Sequence, residues 1–255
     1  MSGTERRAVL VTGGALRVGA ALVRRFAAEG RPVVIHYHQA DTAAVALQQE
    51  IRDAGGAAHV LGADLADAAA VKGLIPAALA LAPDLGVLVN SASVFEPDTA
   101  LDPQSDGWLT SAAVNALAPA RLAAALHAAT TGGVVIHILD QKLANPNPDY
   151  FSYTASKAAL AEAARMQAMA FGPRTRVICL APGLMLPSGD QTNAEYVRSS
   201  PMNLLRRRTR PEDLADAAAL AASGALASGE TLFVDGGQHL TPQSRDVMFL
   251  VRGET

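Results

Sequence analysis

The chain has 255 residues, half of them hydrophobic and 18% charged, with a formal net charge of −3. That apolar content excludes a disordered chain and suits one large core. The mild negative charge argues against nucleic acid or an anionic membrane surface as a partner.

Taken in chain order, short β-rich runs alternate with longer alanine-rich amphipathic segments. Strands are predicted over 8–11, 32–37, 57–61, 87–89, 133–139, 175–180 and 231–234. Helices are predicted over 18–29, 41–54, 67–81, 104–129, 150–171 and 211–222. The strands are mostly apolar throughout, as in a parallel sheet covered on both faces. Breakers such as Gly55-Gly56, Gly172-Pro173 and Gly236-Gly237 fall between the elements. The βαβα rhythm predicts an α/β fold: a single-domain, Rossmann-type doubly wound sheet of about seven parallel strands flanked by helices. The stretch 182–211 reads as a long irregular loop, of the length reserved for functional segments. The apolar run 247–251 packs against another subunit or onto its own.

No apolar stretch approaches the roughly 18 residues of a membrane span, and the run 8–11 is too short for a signal-peptide core. Cys179 is the single cysteine, inside an apolar run, and reads as a buried, inert thiol. Together these features predict a soluble, cytoplasmic protein. The basic cluster Arg206-Arg207-Arg208-Thr209-Arg210 reads as a solvated loop, with attraction of an acidic ligand as the second reading.

The first strand runs into Thr12-Gly13-Gly14-Ala15-Leu16-Arg17-Val18-Gly19 and then a helix. Glycines let backbone approach a pyrophosphate, and the helix N-terminus supplies free N–H groups and partial positive charge. A nucleotide-binding turn is therefore expected there. An acid usually ends the second strand where the ribose 2′-hydroxyl of NAD is held. Here the strand ends His36-Tyr37-His38-Gln39. That absence, with Arg17 able to reach either the 2′-phosphate or the pyrophosphate, predicts NADP(H). His36 and His38 share a strand face, but no third ligand is nearby, so no metal is expected. Asp64, beside Leu65 after the third strand, either bonds the adenine or caps a turn.

Tyr153 and Lys157 lie four apart on one helix face. A neighbouring ammonium is expected to lower the phenol pKa and make Tyr153 a proton donor and acceptor.

Thr12-Gly13, Gly19, Asn90-Ser91-Ala92-Ser93, Asn115, Tyr153-Thr154-Ala155-Ser156-Lys157, Pro182-Gly183 and Asp235-Gly236-Gly237 occur in that order over nearly the whole chain. The set resembles the short-chain dehydrogenase/reductase family. The resemblance implies that Asn115 helps hold a relay water to Lys157. It also implies that Lys157 binds the nicotinamide ribose, that Asn90, Ser91 and Ala92 line the cofactor, and that Pro182 and Gly183 meet the nicotinamide. Arg17 stands where the family has glycine, Asn-Ser-Ala-Ser replaces Asn-Asn-Ala-Gly, and Asp140 replaces the catalytic serine. These departures are similar to the pteridine reductase and dihydromonapterin reductase branch. There, Arg-Ser commonly follows the segment where this chain has Gln39-Ala40.

An ionised aspartate accepts hydrogen bonds and does not donate. Asp140 therefore suits a substrate with N–H groups or a ring nitrogen awaiting a proton. By the same resemblance Phe95 stacks on a pterin, with core packing as its other reading, and Ser93, Asp140 and Tyr153 complete the substrate side; the loop 184–210 is expected to close the substrate pocket. The expectation is hydride transfer from NADPH to a C=N bond of a pterin or dihydrofolate-like molecule. A ketone or 3-oxoacyl reductase and a non-catalytic NADP-binding sensor are the alternatives. Family members are commonly homotetramers or homodimers built on the helices predicted here over 104–129 and 150–171, whose small faces suit helix packing or a monomer's core.

Overall fold

The computed structural model describes residues 7–103 and 105–253; the segment 1–6 and the expected helix start at Gln104 lie outside the described residues. Among the described residues seven strands form one parallel sheet: β1 (Ala8–Thr12), β2 (Val33–Tyr37), β3 (Ala58–Gly62), β4 (Leu85–Asn90), β5 (Gly133–Ile138), β6 (Thr175–Pro182) and β7 (Thr231–Val234). Their order is β3-β2-β1-β4-β5-β6-β7. The order reverses between β1 and β4, and doubly wound sheets open their binding crevice above the strand ends at such a point.

Alternate residues of each central strand feed different layers. Val9, Val11 and Ile35 pack under α1 (Arg17–Ala28), α2 (Asp41–Asp53) and α8 (Pro211–Ser223). Leu10, Val34 and Leu88 pack under α3 (Ala68–Leu81), α5 (Ala118–Ala129) and α6 (Phe151–Phe171). Both faces are dry, which is why these strands read as unbroken apolar runs. Local chemistry sets the helix ends. Asp67 accepts a hydrogen bond from the Ala69 amide at 2.8 Å to open α3, and Pro211 opens α8, which stops at Gly224 with φ of +101°. Cys179 is buried, and burial pushes its thiol up to about 12.

The structure departs from the sequence expectation in three places. The helix expected over 104–129 is broken into α4 (Ser105–Ser111), a π-helical segment (Ala112–Leu117) and α5. Pro119 has no N–H, so the Asn115 carbonyl loses its α-helical donor four residues on, and Ala118 donates to Ala113 instead. The unit Asp106–Ala129 also has the length and hydropathy of a membrane span, contrary to the sequence reading; Ala118, Leu122 and Leu126 in it are buried in the core. The loop 182–211 contains a helix, α7 (Asn193–Ser199), opened by a Thr192–Glu195 capping box. The tail forms α9 (Val247–Arg252), capped by Asp246, and packs onto its own chain.

Candidate active site

The crevice begins where β1 meets α1. Gly13 has φ of +63°, and a Cβ there would lie 2.9 Å from the Ala92 Cα, so the β1 turn rests on the turn after β4. Thr12 joins the two turns: its hydroxyl accepts hydrogen bonds from the Ser91 and Ala92 amides at 3.0 and 3.1 Å. Beneath them His36 is buried. The Gly13 amide donates to its Nδ1 at 3.1 Å, and its Nε2 lies 3.1 Å from the Ala63 carbonyl. Burial pushes the imidazole down to about 4, so it stays neutral with the proton on Nε2. Both nitrogens are engaged in shaping the turn, and neither is free for a metal. Among the described residues no group of three His, Cys, Asp or Glu side chains converges.

Helix α1 starts with no side-chain cap and no acid in its first turn, leaving its amides facing the crevice as an anion site. Arg17 holds φ of +52° there, and its guanidinium donates to the Pro187 carbonyl at 2.7 Å, tying the turn to the 184–210 loop. A cavity of about 660 Å³ is lined by Gly13, Arg17, Val18, Gly19, Asp64, Leu65, Ser91, Ala92, Ser93, Phe95 and Tyr153. A second space of about 390 Å³ lies against Tyr37, His38 and Gln39. Asp64 does what a turn residue does, accepting from the Ala66 amide at 2.9 Å, and also faces His38 at 3.9 Å. Asn90 departs from expectation. It is buried under the turn, with its amide nitrogen 3.2 Å from His137 Nδ1, and it does not line the cavity. Pro182 ends β6 and Gly183 follows it, donating its amide to the Val234 carbonyl; neither is among the residues that line the cavity.

Above the nucleotide crevice, α6 and the end of β5 bring the expected trio together. Tyr153 Oη donates to Asp140 Oδ2 at 2.7 Å, and Lys157 Nζ donates to the Ile138 carbonyl at 2.8 Å. Asp140 is oriented by its other oxygen, which accepts from the Lys142 amide at 2.8 Å. Burial raises the Asp140 carboxyl and pushes Lys157 down to about 8. Tyr153 is held well above an ordinary phenol, first by burial and then by Asp140. This reverses the sequence expectation: the carboxylate touches the phenol, whereas the ammonium is 5.7 Å from its ring centre.

The chain matches the family model described as Enoyl-(Acyl carrier protein) reductase over residues 14–239. It is 32% identical to 3beta-hydroxysteroid dehydrogenase 1 of Eggerthella lenta, covering 92% of this chain and 95% of that one. It is 27% identical to a dihydromonapterin reductase of Citrobacter koseri, covering 91% and 96%. Its structure matches the FolM alternative dihydrofolate reductase 1 of Brucella canis, complexed with NADP, with a TM-score of 0.88, 34% identity and coverage of 96% and 99%. The chain is a short-chain dehydrogenase/reductase. Within that family it belongs with the pteridine-reductase-like branch.

In this short-chain dehydrogenase/reductase, Asn115 acts from the π segment. Its carboxamide accepts from the Val94 amide at 2.8 Å and donates to the Val94 carbonyl at 2.9 Å and to Ser156 at 3.0 Å. The side chain thus locks the 93–95 segment onto α6, which leaves its backbone carbonyl as the group able to meet a water. Phe95 stacks on Tyr150, with centroids 4.1 Å apart, and meets Tyr153 edge-on at 4.7 Å. The packing reading of Phe95 holds on the face that meets Tyr150, and the residue also lines the cavity.

Sequence reasoning missed Lys142 and Tyr150 as parts of this site, and it gave Thr12 and His36 no part in bracing the turn. Tyr150 stands just before α6 with φ of +52°, three residues from Tyr153, a spacing that puts both rings on one side. Lys142 is buried, with Nζ donating to the Asp149 carbonyl at 2.6 Å and lying 3.8 Å from Asp246. A lysine two residues after the aspartate that replaces serine was the available signal.

Proposed function

We propose that this chain is an NADPH-dependent reductase acting on the C=N bond of a pterin or dihydrofolate-like substrate. The observation that carries the reading is the 2.7 Å hydrogen bond between Tyr153 and Asp140 in a pocket that raises both groups. Similarity to dihydromonapterin reductases and to the NADP-complexed FolM structure supports it.

NADP(H) fits the crevice. The α1 amides with Gly13, Arg17, Val18 and Gly19 hold the pyrophosphate, and Tyr37, His38 and Gln39 take the 2′-phosphate side. Asp64 and Leu65 flank the adenine, Ser91 and Ala92 carry the chain of the cofactor, and Lys157 holds the nicotinamide ribose. Bound there, NADPH supplies the hydride. Asp140, lifted by burial, would hold a proton, and Tyr153 would pass it from Oη to the ring nitrogen of the substrate. Ser93 and Phe95 border the ring, and Asn115 keeps them in place. Loss of NADPH absorbance on mixing with dihydropterins or dihydrofolate tests the proposal. No oxidation with any of them overturns it.

Similarity to the hydroxysteroid dehydrogenase favours a second reading, carbonyl reduction, in which a protonated Asp140 donates to the oxygen as serine does elsewhere. Ketone reduction by the wild-type protein supports that reading, and ketone activity that appears only in an Asp140→Ser variant opposes it. We further propose one working domain over 1–255, a cytoplasmic setting, and a homodimer or homotetramer built on α5 and α6. Leu117 and Met169, 49% and 85% exposed, offer the apolar contact. Sedimentation at the monomer mass rejects the oligomer.

A further inference from the structure

We infer that the tail 245–252 is a working part of the substrate site, a strut that sets how far the 184–210 loop stands from Asp140 and Tyr153. This goes beyond the proposed reaction and does not depend on which substrate is reduced.

The strut is anchored at both ends. At the first, Arg245 Nε donates to the Asp149 carboxylate at 2.9 and 3.0 Å, and the Asp246 amide adds a third bond at 2.7 Å. Asp149 directly precedes Tyr150, whose left-handed backbone costs energy that its surroundings must supply. The middle of the strut supplies it. The Met248 sulfur lies 4.0 Å from the Tyr150 hydroxyl, and the Phe249 ring stands 6.0 Å from the Tyr150 ring. Tyr150 in turn backs Phe95, so the tail supports the aromatic wall of the cavity from behind.

At the far end one guanidinium holds the loop. Arg252 Nε donates to Glu195 at 2.8 Å, and its Nη2 donates to Asp190 at 3.1 Å and to Glu195 at 3.2 Å. Glu195 also closes the capping box at the start of α7. A helix of seven residues does not hold itself together and needs tertiary support. Arg252 joins α7 to the segment before it, while Arg17 holds the same loop at Pro187 on the nucleotide side. The substrate loop is thus pinned to the cofactor turn at one point and to the tail at another. Releasing the second pin leaves the nucleotide crevice intact and loosens the substrate side alone.

The experiment compares the wild-type protein with Arg252→Gln and Arg252→Lys. Hydrogen exchange is followed by mass spectrometry with and without NADPH, alongside NADPH Kd by fluorescence and KM for any substrate turned over. Charge-assisted pairs of this exposure predict about fivefold faster exchange over 184–199 in Arg252→Gln, and a KM raised by about the same factor. The NADPH Kd stays unchanged, and Arg252→Lys recovers part of the effect. Asp190→Asn, which takes the charge from one of the three bonds on the loop side, shifts exchange in the same direction by less. Unchanged exchange over 184–199, faster exchange spread across the strands, or an NADPH Kd that rises with KM overturns the strut. Because exchange and NADPH binding need no substrate, failure of the pterin assay leaves this test able to decide.

Discussion

Asp140 and Tyr153 sit in surroundings that disfavour charge on both, and they answer by sharing a hydrogen bond. The pair functions while it holds its proton, and Lys157 holds its own up to about 8. The rate is therefore expected to fall as pH rises past 8, where Lys157 becomes neutral, measured as kcat at saturating NADPH and substrate. Tyr153→Phe removes the proton path and is expected to lower kcat about a hundredfold or more. Asp140→Asn keeps the shape, removes the charge that holds Lys157 up, and shifts the profile toward lower pH. An unmoved profile contradicts the pairing.

His36 makes a separate prediction about stability. Its folded value of about 4 lies below the 6.5 of a free imidazole, as does the value of about 3 for buried His137. An unfolded chain binds protons from 6.5 downward while the fold does not. Stability is thus full above 6.5 and lost as pH falls toward 4. At about 1.4 kcal/mol per unit, His36 alone accounts for about 3 kcal/mol by pH 4. Urea unfolding at pH 7.5 and at pH 5 measures the slope, and a flat line refutes it.

At the scale of elements, the π segment determines where Asn115 points. Pro119→Ala restores an N–H four residues beyond the Asn115 carbonyl and lets the regular ladder close. The melting temperature is expected to hold or rise, while kcat/KM falls about tenfold or more as Asn115 leaves Val94 and Ser156. The elements themselves were legible in the sequence, because buried parallel strands leave dense apolar runs and alanine fills the helices between them. The break at 112–117 was not, since a 24-residue apolar stretch with one internal proline reads as continuous. Helix α7 was missed although Thr192-x-x-Glu195 carried its capping signal; seven residues give too little periodicity to see.

For the whole molecule, the βαβα rhythm implied a doubly wound sheet, and the motif order implied that Tyr153 and Lys157 share a site with the glycine turn after β1. What stayed hidden were the long-range ties around the site: Arg252 to Glu195, Arg17 to Pro187, the tail to Tyr150. No local pattern encodes a salt bridge between residues 57 positions apart. The site also lacked the sign of its electrostatics, because burial of Asp140 and Tyr153 is a property of the packed layers.

Those layers are separate. The aromatic group of Phe95, Tyr150, Tyr153, Met248 and Phe249 shares no member with the clusters on either face of the sheet. Leu122→Ala, in the core and fully buried, is expected to cost about 3 kcal/mol. Phe249→Leu should cost about 1 kcal/mol and alter substrate choice; chemical denaturation of both variants checks the contrast. The scaffold and the chemistry can therefore change at different tempos. A lineage exploring new substrates could rewrite the aromatic corner many times while the sheet beneath it went on folding as before.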